Sequence, residues 1–223
     1  VSWDPAPLVG CCVSAVEARG KHLLIHFGDG PILHSHMGMT GSWHIYRPEQ
    51  TWHKPASRAA LILHTGSVAC ACFYPKILEL LTIAALRNHQ HLAKLGPDLL
   101  TEQFDEEVAL KRFRSGNRLP IGEAIMNQTI VCGVGNIYKS EVLFLERLNP
   151  FQRTDQLLDR EILQLMRVTR QLMRRNRTGF PRRTRFGRDG QRLWVYGRSG
   201  HPCLECGGSI QMRRQGMLGR TTY

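Results

Sequence analysis

The hydrophobic period of this chain changes part-way along, and that change limits the folds open to it. Up to about Pro75 the apolar residues come in short runs, "HLLIHF", "PILHSHM" and "AALILH", separated by turn signals such as "GDG" at 28–30. Runs of that length bounded by turns predict a β-rich part. "LGPDLL" at 95–100 is a Gly-Pro hinge, and beyond it "TEQFDEEVALKRF" places acids ahead of bases, the order that complements a helix dipole. Between Asp155 and Asn176, the residues Leu158, Ile162, Leu165, Met166, Thr169, Leu172 and Met173 recur at helical spacing with arginines between them. This predicts one long amphipathic helix whose stripe is core. The tail "LWVYG" reads as strand again. Strands first and helices after predict an α+β chain of more than one domain, and 223 residues with 42% hydrophobic content suffice for separate cores.

Charge is as unevenly distributed as period. The net charge is +12, and residues 150–223 hold 16 Arg, no Lys and 5 acids, against 14 basic and 13 acidic residues in 1–149. A field of one sign attracts a polyanion, and arginine forks onto phosphate oxygens, so nucleic acid is the first candidate partner; a solvated basic surface is the plainer alternative. Eight arginines between Arg174 and Arg192, with Gly, Pro and the single acid Asp189, suit a mobile loop beside DNA better than a core. No apolar run approaches a membrane span, and the opening "VSWDPAPLVG" has no basic stretch ahead of an apolar one, so no membrane partner is expected. Seven cysteines, with Cys11 beside Cys12 and Cys70 alternating with Cys72, predict reduced thiols and a cytoplasmic protein.

Two local patterns carry chemistry. In "IGEAIMNQTIVCGVGNIYKSEVLF", 121–144, a short helix, a Gly133-Val134-Gly135 turn and a second helix from Asn136 offer free amide donors and positive dipole to an anion. By spacing alone, such a turn also serves merely to connect packed helices. "VYGRSGHPCLECGG", 195–208, holds Cys203 and Cys206 at zinc-knuckle spacing, but a structural zinc usually takes four ligands and this turn presents a single pair. His34 and His36 stand two apart with no carboxylate or third histidine beside them, so structural or phosphate-contact roles are expected rather than a metal. Cys11, Cys12, Cys70, Cys72 and Cys132 are expected to be small buried apolar residues.

Four stretches, in order, resemble the formamidopyrimidine-DNA glycosylase and endonuclease VIII enzymes of base-excision repair: "RGKHLL" (Arg19 to Leu24), "HSHMGMTGSW" (His34 to Trp43), "MNQTIVCGVGNIYKSE", and "VYGRSGHPCLECGG" followed by "GRTTY". The resemblance spans the chain. It implies an N-terminal β-sandwich over 1–95, a helix-two-turn-helix DNA-binding domain with a basic loop over 99–188, and an incomplete zinc-finger β-hairpin over 192–223. It also implies damaged double-stranded DNA as partner, a monomer in the bacterial cytoplasm beside the nucleoid, and a structural Zn2+ whose first ligand pair is Cys203 and Cys206.

In that family an N-terminal Pro-Glu does the chemistry. The damaged base is extruded from the duplex, the proline amine attacks the sugar carbon to give a Schiff base, the glutamate manages protons, and elimination breaks the strand. Carried over residue by residue, Lys21 matches a lysine that touches phosphate near the lesion and helps the first elimination. Arg220 matches the zinc-hairpin arginine that assists the later one. Met39 matches a wedge that fills the gap left by the flipped base. Asn136 and Lys139 match the DNA contacts of the helix-two-turn-helix, and Arg118 stands one place off a DNA-contact arginine. A solvated hairpin lysine is the alternative for Lys21 and a core methionine for Met39. "GSWHIYRP", "LELL" and "IGEAIMNQ" resemble the endonuclease VIII branch, which favours oxidised pyrimidines, whereas the Met39 wedge is shared with the oxidised-purine branch. Neither the Pro-Glu opening nor the second CxxC is in this sequence. Both are expected beyond its ends, and the chain as written is expected to be inactive though able to bind DNA. A non-catalytic DNA-binding module is the other reading.

Overall fold

Strands β1 (Val13–Arg19), β2 (His22–Phe27), β3 (Ile32–His36), β4 (Ser42–Tyr46), β5 (Ala59–His64), β6 (Ala69–Phe73) and β7 (Ile77–Leu81) build the first of two units, Val1–Ala93. The computed structural model describes residues 4–115, 118–178, 181–187 and 189–223. One antiparallel sheet runs β1-β2-β3-β7 and a second runs β4-β6-β5. Phe27 and Leu33 of the first sheet share a buried cluster with Leu61 and Cys72 of the second, and Ile25, Trp43 and Leu78 pack against it. The sheets therefore pack face to face, each fully buried side chain contributing roughly 2 kcal/mol before entropy is counted. Trp43 Nε1–H donates to Ser35 Oγ at 3.1 Å within this layer.

The strands do not stop near Pro75 as the runs suggest. The chain turns at Tyr74, φ 47°, and re-enters the first sheet as β7, where "ILELL" is half-buried along most of its length and so shows no clean alternation. Two short helices follow, α1 (Ile83–Arg87), capped by Thr82 accepting the Ala85 N–H at 3.1 Å, and α2 (Gln90–Ala93).

The second unit, Lys94–Tyr223, contains α3 (Glu106–Ser115), α4 (Ile121–Ala124), α5 (Asn136–Leu145), α6 (Asp159–Arg175) and a hairpin of β8 (Arg213–Gln215) and β9 (Arg220–Thr222). Phe113, Ile125, Leu143, Ile162, Leu165 and Met166 form the centre of its core. Helix α6 begins later than the stripe suggests. Residues Thr154–Gln156 form a 3-10 turn, and the Glu161 carboxylate takes the Leu158 N–H at 2.7 Å, which leaves Leu158 exposed ahead of the first turn. The "LGPDLL" hinge is packed rather than loose: Gly96 N–H donates to Gln128 O at 2.8 Å, and a Cβ at Gly96 would lie 2.4 Å from the Ile130 carbonyl oxygen. Only glycine fits that approach.

One expectation fails here. "LWVYG" is not a strand; residues 194–196 bend around a buried carboxylate described below. In the arginine-rich loop, where it is described, Asn176 Nδ2–H donates to Arg183 O at 2.7 Å, and Thr184 N–H to Arg192 O at 2.9 Å. Arg188 of that run lies outside the described residues. Residues 192–223 pack as part of the helical unit. Among the described residues no helix is long and apolar enough to cross a membrane.

Candidate nucleic-acid interface

The Gly133-Val134-Gly135 turn ends in α5, whose first residue is Asn136. Gly133 takes φ 100°, a conformation that side chains rarely adopt, and its N–H is held by Gln128 Oε1 at 3.0 Å. Asn136 Nδ2–H donates to Thr221 Oγ1 at 3.1 Å, so the turn and strand β9 meet at this residue. Asn136 Oδ1 is buried and has no hydrogen-bond partner among the described residues. The Thr221 hydroxyl can donate as well as accept. Turning the amide over keeps that bond and presents Nδ2 to an anion at the helix N-terminus.

Lys139, one turn further along α5, is not the surface cation that sequence matching suggests. It is buried, and its ammonium donates to Thr221 O at 2.8 Å and Thr222 Oγ1 at 2.6 Å. Burial, then the nearby Arg220, lowers its pKa to about 8, with Glu123 working in the opposite direction. Lys139 therefore clamps the hairpin to α5, close to Arg220, which is half-buried at the start of β9. Asn136 is thus brought against Thr221, the residue that follows Arg220, 85 positions away in sequence. Arg118 sits at φ 61° after α3 with its guanidinium exposed and 3.9 Å from Asp155.

Sequence reasoning missed Glu141, the acid inside "NIYKSEVLF". Wholly buried, it accepts the backbone N–H groups of Trp194, Val195 and Tyr196 at 2.7, 2.8 and 2.8 Å and the Thr184 hydroxyl. That one carboxylate ties the C-terminal segment to α5. The arginine excess is also partly internal: Arg170 donates to Leu99 O at 2.9 Å, Arg167 pairs with Glu106 at 2.7 Å, and Arg198 donates to Trp194 O at 2.6 Å and Pro202 O at 2.8 Å.

Cys203 and Cys206 stand in a tight turn closed by Gly207 N–H to Cys203 O at 3.0 Å and Cys203 N–H to Gly208 O at 2.7 Å. Backbone N–H groups of Cys206 and Glu205 point at the Cys203 sulfur and lower its thiol pKa. Donors arranged around a thiolate fit half of a zinc site. Cys206 is exposed and Cys203 partly so, while Cys11 and Cys12 are exposed rather than buried as expected. Cys72 and Cys132 are buried.

In the first unit Lys21 occupies the two-residue turn between β1 and β2 after Gly20, φ 61°. Met39 is 83% exposed in the turn that follows β3, so it is not a core methionine. Lys76 and Lys21 lie close enough to His36 to disfavour its charged form, adding to the effect of burial. His34 is where the sequence argument lacked information. Its Nδ1 is 2.8 Å from Glu79 Oε1, which is also 3.1 Å from His89 Nε2, so a carboxylate and another histidine do adjoin it.

Comparison with known proteins decides which fold of this kind the chain is. Residues 5–73 match the formamidopyrimidine-DNA glycosylase N-terminal domain and residues 95–178 the formamidopyrimidine-DNA glycosylase H2TH domain. A probable endonuclease 8 2 of Streptomyces coelicolor is 37% identical over 210 residues, covering 94% of this chain and 75% of the relative. The chain belongs to the formamidopyrimidine-DNA glycosylase and endonuclease VIII family. The DNA-(apurinic or apyrimidinic site) lyase Nei2 of Mycolicibacterium smegmatis is 35% identical over 217 residues, 97% of this chain and 82% of the relative. A Lactococcus lactis formamidopyrimidine-DNA glycosylase bound non-covalently to DNA with an AP site superposes with a TM-score of 0.79 at 26% identity, covering 97% of this chain and 81% of that one. Within this family framework, the "GVGN" turn and hairpin lie in the matched helical region and its C-terminal continuation, and "RGKHLL" in the matched N-terminal domain.

Proposed function

We propose that this protein is an endonuclease VIII-type DNA glycosylase and AP lyase of base-excision repair, acting on oxidised bases, pyrimidines above all, in double-stranded DNA. The observation that carries the reading is the meeting of Asn136, at the N-terminus of α5, with the Arg220 hairpin that Lys139 clamps beneath it. A helix N-terminus, an amide and a guanidinium gathered in one place suit the phosphates of a strand. Relatives named endonuclease 8 and AP lyase, alike over most of their length, support the same activity.

In this reading the helical unit grips the backbone through Asn136, Arg220 and Arg118, and Lys21 meets a phosphate near the lesion. Met39, exposed on its turn, fills the space left by the extruded base. Cys203 and Cys206 would hold one side of a structural zinc, which would brace the hairpin that carries Arg220. Catalysis runs through a Schiff base on the family's N-terminal proline amine. Borohydride trapping on an abasic duplex tests it: a polypeptide carrying the Pro-Glu opening is expected to give a covalent adduct. Duplex binding without any adduct from that polypeptide would assign the fold here to a non-catalytic module.

A further inference from the structure

The proposed reading leaves a row of histidines on the first sheet unexplained. His22 pairs with His36 across β2 and β3, and His34 pairs with Glu79 across β3 and β7, so the four side chains share one sheet face. One backbone donor and one ionised carboxylate, which can only accept, set the direction of the hydrogen bonds among them. Leu92 N–H donates to His89 Nδ1 at 3.2 Å, which places the His89 proton on Nε2, 3.1 Å from Glu79 Oε1. His34 Nδ1–H donates to the same oxygen at 2.8 Å, so His34 Nε2 carries a lone pair. His22 Nδ1 lies 2.8 Å from His34 Nε2 and is therefore the donor. The His22 ring in turn lies against His36, centroids 4.6 Å apart, and His36 Nδ1 accepts the Gly38 N–H at 3.2 Å.

The charges agree with these directions. Burial works against ionisation of Glu79, but the bonds from His34 and His89 outweigh it and hold the carboxyl below its ordinary pKa. Burial first, then the neighbouring His36, His34, His89 and His91, lowers His22 to about 4. Burial likewise lowers His34 against the pull of Glu79. At neutral pH Glu79 is an anion and the rings of His22, His34 and His36 are neutral.

We propose that Glu79 and His34 are positioning residues that fix the proton of His22 on Nδ1 and thereby hold the His22–His36 pair in place beside Lys21. This rests on the reading that Lys21 meets a DNA phosphate. His22 directly follows Lys21 in the chain, and Lys21 and Lys76 both act electrostatically on His36, so the row ends beside the cationic edge of the sheet. The ligand atoms of His34, Glu79 and His89 also lie within 4.8 Å of one another, a spacing open to a metal ion. Ligation through His89 Nε2 would put its proton on Nδ1, against the Leu92 N–H, so the hydrogen-bonded row accounts better for the arrangement.

Long-range proton–nitrogen NMR of the ring nitrogens in the intact chain, without DNA, reads the tautomers directly. The expected result is His22 protonated on Nδ1, retained in Glu79→Gln, which keeps an acceptor oxygen, and lost in Glu79→Leu. Affinity for a duplex with an abasic-site analogue is expected to fall about tenfold in Glu79→Leu, the order of one charge-assisted hydrogen bond, and to stay near wild type in Glu79→Gln. Should Glu79→Leu not fold, His34→Phe removes the same link. His22 protonated on Nε2, or a tautomer change that leaves affinity unaltered, overturns the proposal. So does tight Co2+ binding that needs His34, Glu79 and His89. An intact row in a chain that ignores duplex DNA overturns instead the functional reading on which its purpose rests.

Discussion

Glu141 accepts the backbone N–H of Val195 at 2.8 Å across 54 positions of sequence. With the N–H groups of Trp194 and Tyr196 it makes a three-donor cradle around one buried carboxylate, so α5 and the C-terminal segment depend on it together.

Glu141→Ala is therefore expected to leave those donors unsatisfied and to cost about 3 kcal/mol or more, with Glu141→Gln costing less because one acceptor remains. Chemical unfolding of the two variants checks this. Equal stability of wild type and Glu141→Ala would show that the cradle contributes nothing.

Arg220 and Asn136 are expected to separate by salt dependence. Arg220→Ala should weaken duplex binding and reduce the slope of log affinity against log salt by about 1, because one counterion fewer is released. Asn136→Ala should weaken binding with little change of slope, since a neutral amide releases no counterion. Affinity titrations over a range of salt concentrations distinguish the two.

Lys139 gives a basic-side signature. Its folded pKa of about 8 lies below the unfolded value of 10.5, so the unfolded chain binds more protons between them. Stability from this group is therefore present above the unfolded value and is lost as pH falls through about 8. Lys139→Met should remove this rise while loosening the hairpin. Melting temperatures of both proteins, compared from pH 7 to pH 10, test the difference, and parallel curves would count against it.

His22 gives the acid-side counterpart. Its folded pKa of about 4 lies below the ordinary 6.5, so the first unit gains stability as pH rises between these values and loses it on acidification. His34 and His36 shift in the same direction. His22→Gln should flatten this part of the stability profile, which far-ultraviolet melts between pH 4 and pH 7 would reveal.

Sequence alone determined that strands give way to helices, the helix that starts at Asn136, the stripe that became the face of α6, and the paired cysteines. These are legible because period, capping and short motifs act over a few residues. Tertiary structure decided which chemistry those elements acquire. It buried Lys139 under β9, wrapped "LWVYG" around Glu141, and set Glu79 and His89 against His34 across 45 and 55 positions. Hydrophobic period reports which face of an element is apolar, but not which distant strand will lie beside it. A backbone N–H carries no mark in the sequence of the carboxylate it will meet.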